Sequence, residues 1–324
     1  MKPTKPPALR SGDKIGIVAP ASGFNREGFT AGCDRLRQMG YEPVFSASIF
    51  ERDLYFAGTA DRRLHEFEEM FTREDLAAII CARGGYGSNY LLEKLNFEMI
   101  AAHPKIFLGC SDVTSLLTAI TDRTGLVTFH GPMIAKDIAS ATGIELSSWE
   151  NALHGATSWE IPTAGVEGLQ QGRAEGRLYG GCLSLLTASL GTDFEIKTEG
   201  TILFLEDVAE KPYRIDRMLM QLRLAGKLDR VGGIIFGEMP DCVQPGRQDY
   251  TLQQVVMRVL KDFRGPIVYG LRSGHVSNAN ITLPMGVRAE LVADGDGVRL
   301  RILEEATFSE TPKQSEGLRE QARR

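Results

Sequence analysis

The chain has no cysteine pair at metal-binding or redox spacing. Its five cysteines, at positions 33, 81, 110, 182 and 242, are scattered, odd in number and free of any C-x-x-C. That usage fits a reducing compartment and argues against a disulfide framework or a thiolate metal site. No H-E-x-x-H or comparable cluster occurs, so hydrolytic chemistry here is expected to need no metal, and nothing calls for a cofactor. Neither G-x-G-x-x-G nor G-x-x-x-x-G-K-[ST] is present, which removes the familiar phosphate-binding loops. No apolar run approaches transmembrane length, and none follows the basic residues of positions 1–7. A cytoplasmic protein without a secretory signal is therefore expected. With 37 basic and 42 acidic residues the formal net charge is −5, and no Lys/Arg run stands out. Neither nucleic acid nor an anionic membrane is an expected partner.

What is there is an ordinary globular composition, 43% hydrophobic and 24% charged, over 324 residues, enough for two domains. Residues 105–117 organise the first of them. Ile106-Phe107-Leu108 reads as a buried strand, Gly109-Cys110-Ser111-Asp112 as a sharp turn, and Val113 onward as a helix. A hydroxyl at such a turn sits beside the free N–H groups of a helix start, where negative charge is favoured. Acyl transfer needs that combination of nucleophile and oxyanion donor. The plainer use of Ser111 or Asp112 is as a helix cap, and G-x-S-D lacks the closing glycine of the G-x-S-x-G elbow.

Apolar strands at 14–20, 41–49, 76–82 and 126–129 alternate with helices at 26–39, 60–71 and 90–95. The pattern predicts a parallel sheet with helices on both faces, whose ligands bind at the carboxyl ends of the strands. Gly84, Gly85, Ser111 and His130 all fall at such ends. Residues 156–175 lose periodicity, which predicts a junction between a domain over 12–155 and a mixed α/β domain over 176–308. Strands are expected there at 173–179, 200–207, 231–236 and 267–271, with helices at 213–224 and 252–263. Alternation over 281–303 around Asp294-Gly295-Asp296-Gly297 predicts antiparallel strands. Residues 309–324 read as a frayed polar tail.

Of five histidines, His65, His103 and His154 read as surface or structural. His130 ends a strand near the presumed site. His275 lies in a polar loop, Arg272-Ser273-Gly274-His275-Val276-Ser277-Asn278-Ala279-Asn280, a usual setting for a general base. Leu203-Phe204-Leu205-Glu206-Asp207 offers a carboxylate at the end of a buried strand, where an acid is costly unless paired. Successive strand residues face opposite ways, so one of Glu206 and Asp207 points at the site. The residues alone leave the choice open, an ion pair with Arg214 or Arg217 being the structural alternative. Cys110 rivals Ser111, since a thiol is the better nucleophile near neutral pH. Gly84-Gly85-Tyr86-Gly87 reads either as a tight turn at positive φ or as a backbone donor completing an oxyanion hole with the Asp112 N–H.

G-D-K-I-G-I-V-A-P-A-S, R-G-G-Y-G, G-x-S-D-x-T, F-H-G-P, L-E-D-x-x-E-x-P-Y-R-I-D-R-M and G-H, in that order, resemble the LD-carboxypeptidases, serine peptidases of the S66 type. The resemblance runs over residues 12–305. It implies a flavodoxin-like N-terminal domain akin to class I glutamine amidotransferases, a C-terminal swivelling β/β/α domain, and a site in the cleft between them. It also implies Ser111 as nucleophile, Glu206 as carboxylate, His275 as base, and the backbone amides of Gly85 and Asp112 as oxyanion donors. Glu206 is thereby chosen over Asp207, and Ser111 over Cys110. The implied reaction removes the terminal D-alanine of muropeptide tetrapeptides in peptidoglycan recycling, by a homodimer. Arg83, Gly84, Tyr86 and His130 are expected to meet this small substrate, with Arg83 taking its terminal carboxylate. One alternative is a microcin-C-type immunity hydrolase acting on aminoacyl-nucleotide analogues, for which Trp149 and Trp159 are candidate aromatic platforms. A catalytically silent sensor that binds through residues 84–87 is the other.

Overall fold

The computed structural model describes residues 3–244, 246 and 249–309. Beyond Ser309, the expected tail lies outside the described residues. In the first part of the chain, β1 (Lys14–Val18), α1 (Arg26–Gln38), β2 (Glu42–Val44), α2 (Ala60–Thr72), β3 (Leu76–Cys81), α3 (Phe97–Ala102), β4 (Ile106–Gly109), α4 (Thr114–Thr124) and β5 (Thr128–His130) alternate as the apolar pattern predicts. Helices α1 and α2 start where a side chain takes up orphan N–H groups. The Asn25 carbonyl accepts from Glu27 and Gly28 N, and Thr59 Oγ1 accepts from Arg62 N. Two expectations shrink. β2 ends early because Ser46 caps a 3-10 turn, Ala47–Phe50. The helix expected over 90–95 is only the turn Ser88–Tyr90, because the Ser88 amide and hydroxyl are both committed to Asp112.

The remaining elements are α5 (Leu146–Leu153), β6 (Trp159–Ile161), β7 (Glu167–Gln170), β8 (Gly172–Cys182), α6 (Leu183–Ala188), β9 (Thr201–Glu206), α7 (Pro212–Leu224), β10 (Gly233–Gly237), α8 (Leu252–Val259), β11 (Ile267–Leu271), β12 (Leu283–Met285), β13 (Arg288–Asp294) and β14 (Gly297–Ile302). The first sheet has the order β12-β5-β4-β3-β1-β2, parallel except for β12. The second has the order β6-β14-β13-β8-β9-β10-β11-β7, with β8 to β11 parallel and the flanking strands antiparallel. The α/β architecture with a parallel sheet and a second mixed sheet is thus the one expected.

The sheets cut across the linear division into 12–155, 156–175 and 176–308. The expected junction carries β6, β7 and the start of β8, all in the second sheet. β6 is too short to show a period, and β7 is an edge strand of largely exposed residues with Gly and Gln. β12 returns to the first sheet and pairs antiparallel with β5. Its Pro284 suits an edge strand, which can spare an N–H.

One apolar core spans both sheets and includes Ile17, Leu108 and Phe129 from the first, and Leu178, Ile202, Phe204 and Leu291 from the second. A second cluster with Phe67, Phe107 and Leu116 fills the opposite side of the first sheet, and a third with Leu203, Leu205, Leu219 and Phe236 lies beneath α7 and α8. Strand β9 is therefore buried on both faces, even positions toward the shared core and odd positions away from it.

Candidate active site

Ser111 lies beyond Cys110, which follows the last residue of β4, and opens a 3-10 turn, Ser111–Val113, that leads into α4. Its φ is +61°, a left-handed conformation that a non-glycine residue adopts at a cost of order 1–3 kcal/mol. The turn separates two neighbours. Cys110 remains extended and only 1% exposed, while Ser111 is half-buried. Burial, then the nearby Asp137 and Glu206 charges, push the Cys110 thiol well above its ordinary range, which leaves it a poor nucleophile.

The loop after β3 packs directly on this turn. A Cβ placed on Gly84 would stand 2.8 Å from Ser111 Cβ. Gly85 has φ +99°, and a Cβ there would lie 2.5 Å from Ser22, so both backbone angle and space demand glycine. Ser22, in the loop after β1, fixes this segment: its amide donates to Gly84 O (3.2 Å) and its Oγ accepts from Tyr86 N (3.0 Å). Arg63, 2% exposed, reaches from α2 to donate to Gly87 O at 2.8 Å and also to Pro20 O. Ser88 closes the other side, its N donating to Asp112 Oδ2 (2.8 Å) and its Oγ to Asp112 O (2.6 Å).

The second sheet supplies the acid and the base. Glu206 ends β9 in phase with Ile202 and Phe204, so it faces the shared core and the first sheet. Its Oε2 accepts from His275 N (3.0 Å) and lies 2.7 Å from His275 Nδ1. A carboxylate on Nδ1 leaves Nε2 as the free basic nitrogen. Burial opposes ionisation of Glu206, yet the two imidazoles facing it, His130 and His275, prevail and hold its carboxyl well below the usual range. Burial likewise opposes the charged form of His275, but its bond to Glu206 and the charge of that carboxylate raise it above 6.5. Asp207, out of phase, faces the other way. Its carboxylate accepts from Ser184 N at 2.9 Å, at the start of α6, and from Val208 N. The loop bearing His275 is clamped by buried Asn280, which exchanges two 3.0 Å hydrogen bonds with Gly274, and by Glu238, which accepts from Ser277.

Two independent contacts join the sheets here. Cys182, the β8 partner of Glu206, donates its amide to Thr114 Oγ1, three residues beyond Ser111, at 3.1 Å. His130, the β5 partner of Gly109, places Nε2 3.7 Å from Glu206 Oε1.

The structure thus brings Ser111, Gly84, Gly85, Asp112, Glu206, His275 and His130 to one place. His130 is fully buried behind the carboxylate, so it does not line a substrate surface as expected. Arg83 and Tyr86 stand at the exposed rim, Arg83 donating to Gly23 O at 3.1 Å. Trp149 and Trp159 are core residues, 1% and 7% exposed, and neither offers a platform. The exposed rings near the site are instead Tyr55, Tyr86 and Tyr90, grouped around Phe56. A cavity of about 730 Å³ opens beside α4, lined by Tyr90, Ser115, Thr118, Arg123 and Phe194 among others, but by none of Ser111, Glu206 or His275. Ser22, Arg63, Ser88 and Asn280 were not singled out by sequence reasoning. Ser22, Ser88 and Asn280 lie in loops that follow strands, the one signal that could have marked them, and Arg63 lies within α2 with none. Among the described residues no group of three or more His, Cys, Asp or Glu side chains is placed to hold a metal ion, and no helix is long and apolar enough to cross a membrane.

Family models described as LD-carboxypeptidase N-terminal domain and LD-carboxypeptidase C-terminal domain match residues 15–131 and 175–291. The chain is 38% identical over 291 residues to a probable murein peptide carboxypeptidase of Bacillus subtilis, covering 89% of this chain and 91% of that one. Among solved structures it is similar to the microcin self-immunity protein MccF in complex with glutamyl sulfamoyl guanosine, with TM-score 0.87 and 26% identity over 94% of this chain and 100% of that one. It is also similar to a muramoyltetrapeptide carboxypeptidase from Oxalobacter formigenes, with TM-score 0.81 and 28% identity over 91% of this chain and 100% of that one.

Proposed function

The chain belongs to the LD-carboxypeptidase family, and from that premise we propose that it is a serine carboxypeptidase that removes the terminal D-alanine of muropeptide tetrapeptides. The bond cleaved joins the L-centre of the diamino acid to D-Ala. The observation that carries the reading is the buried Glu206 bonded at 2.7 Å to His275 Nδ1, with Ser111 at positive φ beyond β4 and two contacts between the sheets beside them, Cys182 to Thr114 of α4 and His130 of β5 to Glu206.

His275 Nε2 takes the Ser111 proton as Oγ attacks the carbonyl carbon, and Glu206 holds the imidazolium that forms. The backbone amides of Gly85 and Asp112 receive the oxyanion. Each such donor is worth roughly 3 kcal/mol of transition-state stabilisation. His275 then protonates the leaving amine of D-alanine, and water, deprotonated by the same nitrogen, hydrolyses the acyl-enzyme. No metal takes part. Arg83, exposed at the rim, receives the terminal carboxylate. The reading includes peptidoglycan recycling in the cytoplasm and a homodimer, both taken from the family resemblance, and a nucleophile unit centred on 12–155 that works against an acid–base unit centred on 176–308.

The likeness to MccF, together with the exposed Tyr55, Tyr86 and Tyr90 beside the site, favours a second reading in which an aminoacyl-nucleotide analogue is the substrate. Mass spectrometry of L-Ala-γ-D-Glu-meso-diaminopimelate-D-Ala with wild type and Ser111→Ala tests the first. Loss of one D-alanine by wild type alone is the expected result. Cleavage surviving in Ser111→Ala would refute the nucleophile. An inert wild type that cleaves an aminoacyl sulfamoyl nucleoside would establish the second reading, and binding of tetrapeptide without any product would leave a sensor.

A further inference from the structure

Behind the Glu206–His275 pair stands a second imidazole. His130 Nε2 lies 3.7 Å from Glu206 Oε1, the oxygen that His275 does not use. Both residues are fully buried, and among the described residues neither of these two atoms has a hydrogen-bond partner. Orphan polar atoms in such a place are costly, and more so when one is charged.

The other ring nitrogen decides where the protons are. Ser273 Oγ donates to Ile281 O at 2.9 Å, and a hydroxyl has one proton to give. Ser273 Oγ is also 2.9 Å from His130 Nδ1, so in that contact the imidazole is the donor. With Nδ1 protonated, a neutral ring would turn its Nε2 lone pair on the carboxylate, acceptor against acceptor. A ring protonated at both nitrogens gives Oε1 a donor and the buried anion a counter-charge. Phe204 packs at 69° to the ring with centroids 5.2 Å apart, and Gly274 sits so close that a Cβ there would be 2.7 Å from both His130 Cε1 and Glu206 Cδ. The ring cannot turn away.

We propose that His130 is a positioning residue, an imidazolium oriented by Ser273 that holds Glu206 Oε1 and so aims Oε2 at His275. It touches no substrate. The proposal rests on the triad reading above and adds a task to it: by sharing the charge of Glu206, His130 limits how strongly the base retains its proton. A base that is too readily protonated is idle near neutral pH. Among the described residues, the other titratable or charged groups around the pair are Asp137 and Lys136 after β5, Asp207 beside Glu206, and the thiols of Cys110, Cys182 and Cys242, which burial pushes up. All of them stay in place when His130 is replaced.

The test compares H130Q and H130L with wild type on the tetrapeptide, each checked for folding by melting temperature. In both variants kcat is expected to fall roughly tenfold or more with KM nearly unchanged, and the acid limb of kcat/KM to move to higher pH. H130Q, which keeps a donor near Oε1, is expected to retain more turnover than H130L. A folded H130L with an unmoved acid limb would overturn the proposal. A second readout needs no turnover: nitrogen NMR of the imidazoles in folded Ser111→Ala is expected to show a proton on each His130 nitrogen. A neutral His130 ring would sink the idea even if the enzyme is active. An inert wild type would instead sink the proposed function while leaving this readout intact.

Discussion

Glu206 and Asp207 end the same strand and face opposite layers, one holding His275 and the other the start of α6. Glu206→Gln is expected to lower kcat by roughly 10⁴, as when a triad base loses its orienting carboxylate, whereas Asp207→Asn keeps turnover and loses about 1 kcal/mol of stability. Steady-state kinetics and thermal melts of the two variants separate these roles. The pH dependence follows from the same pair. Because Glu206 raises His275 above 6.5, kcat/KM is expected to climb along an acid limb whose midpoint lies above 6.5, as the proton leaves the base. For stability, the depressed carboxyl contributes above its unfolded pKa, and that contribution is lost as pH falls through the folded value. The raised histidine contributes fully below its unfolded pKa, and that contribution is lost as pH rises through the folded value. These are one attraction seen from two partners and do not add. Urea midpoints are expected to show its full effect between the unfolded values of about 4.3 and 6.5, and its loss on either side. A profile that stays flat on both sides of that range as well as within it, identical in Glu206→Gln, would contradict it. Cys110→Ala, which touches a buried neutral thiol, should keep wild-type kcat.

At the scale of elements, the site is a set of loops pinned at strand ends, and the pins are small polar residues. Ser22→Ala removes the acceptor of Tyr86 N and the donor to Tyr86 O, loosening the segment that aims the Gly85 amide. Turnover is expected to drop by about tenfold, short of the 10²–10³ that follows outright loss of an oxyanion donor, with KM little changed. Gly85→Ala, strained at φ +99° and in conflict with Ser22, should reach the full loss. Equal kinetics for Ser22→Ala and wild type would show that the amide is held by other means. These pins mark the boundary of what the sequence reveals. The Ser111 strand-turn-helix was legible because an apolar run, a glycine and a helical period lie within a dozen residues. The choice of Glu206 was legible in principle, since the even positions Ile202 and Phe204 carry its phase, yet both faces of β9 are apolar and nothing local says which faces the first sheet. Ser22, Ser88 and Asn280 were not legible. Each acts through a partner dozens of residues away or through a turn that ordinary serines and asparagines also make. Edge strands β6 and β7 escaped for a related reason: short strands with few or no alternating pairs carry no period, and the alternation over 281–303 did not say that β12 pairs with the first sheet.

At the scale of the whole molecule, Ser111 follows a strand of the first sheet and His275 a strand of the second, so the proposed mechanism depends on how firmly the sheets are joined. The chain itself ties them: β12 completes the first sheet and β13, three residues later, lies in the second. The apolar core is shared as well, with Leu178 of β8 fully buried in the same cluster as Phe129 of β5 and Leu283 of β12. A joint of this kind does not come apart before either half unfolds, because opening it would expose the apolar faces that stabilise both. Leu178→Ala, at a fully buried position of this core, is expected to cost about 2–5 kcal/mol. Calorimetry should show a single transition in wild type and a single, lower one in the variant. The two tryptophans give an independent check, for Trp149 lies on α5 and Trp159 on β6 of the second sheet, and both are buried in the shared core. In urea, the fluorescence of single-tryptophan variants Trp149→Phe and Trp159→Phe should lose its native signal at the same midpoint as peptidase activity. Activity lost well before either fluorescence change would mean that the sheets separate while each remains folded, and that the shared core is not what keeps the loops bearing Ser111 and His275 together.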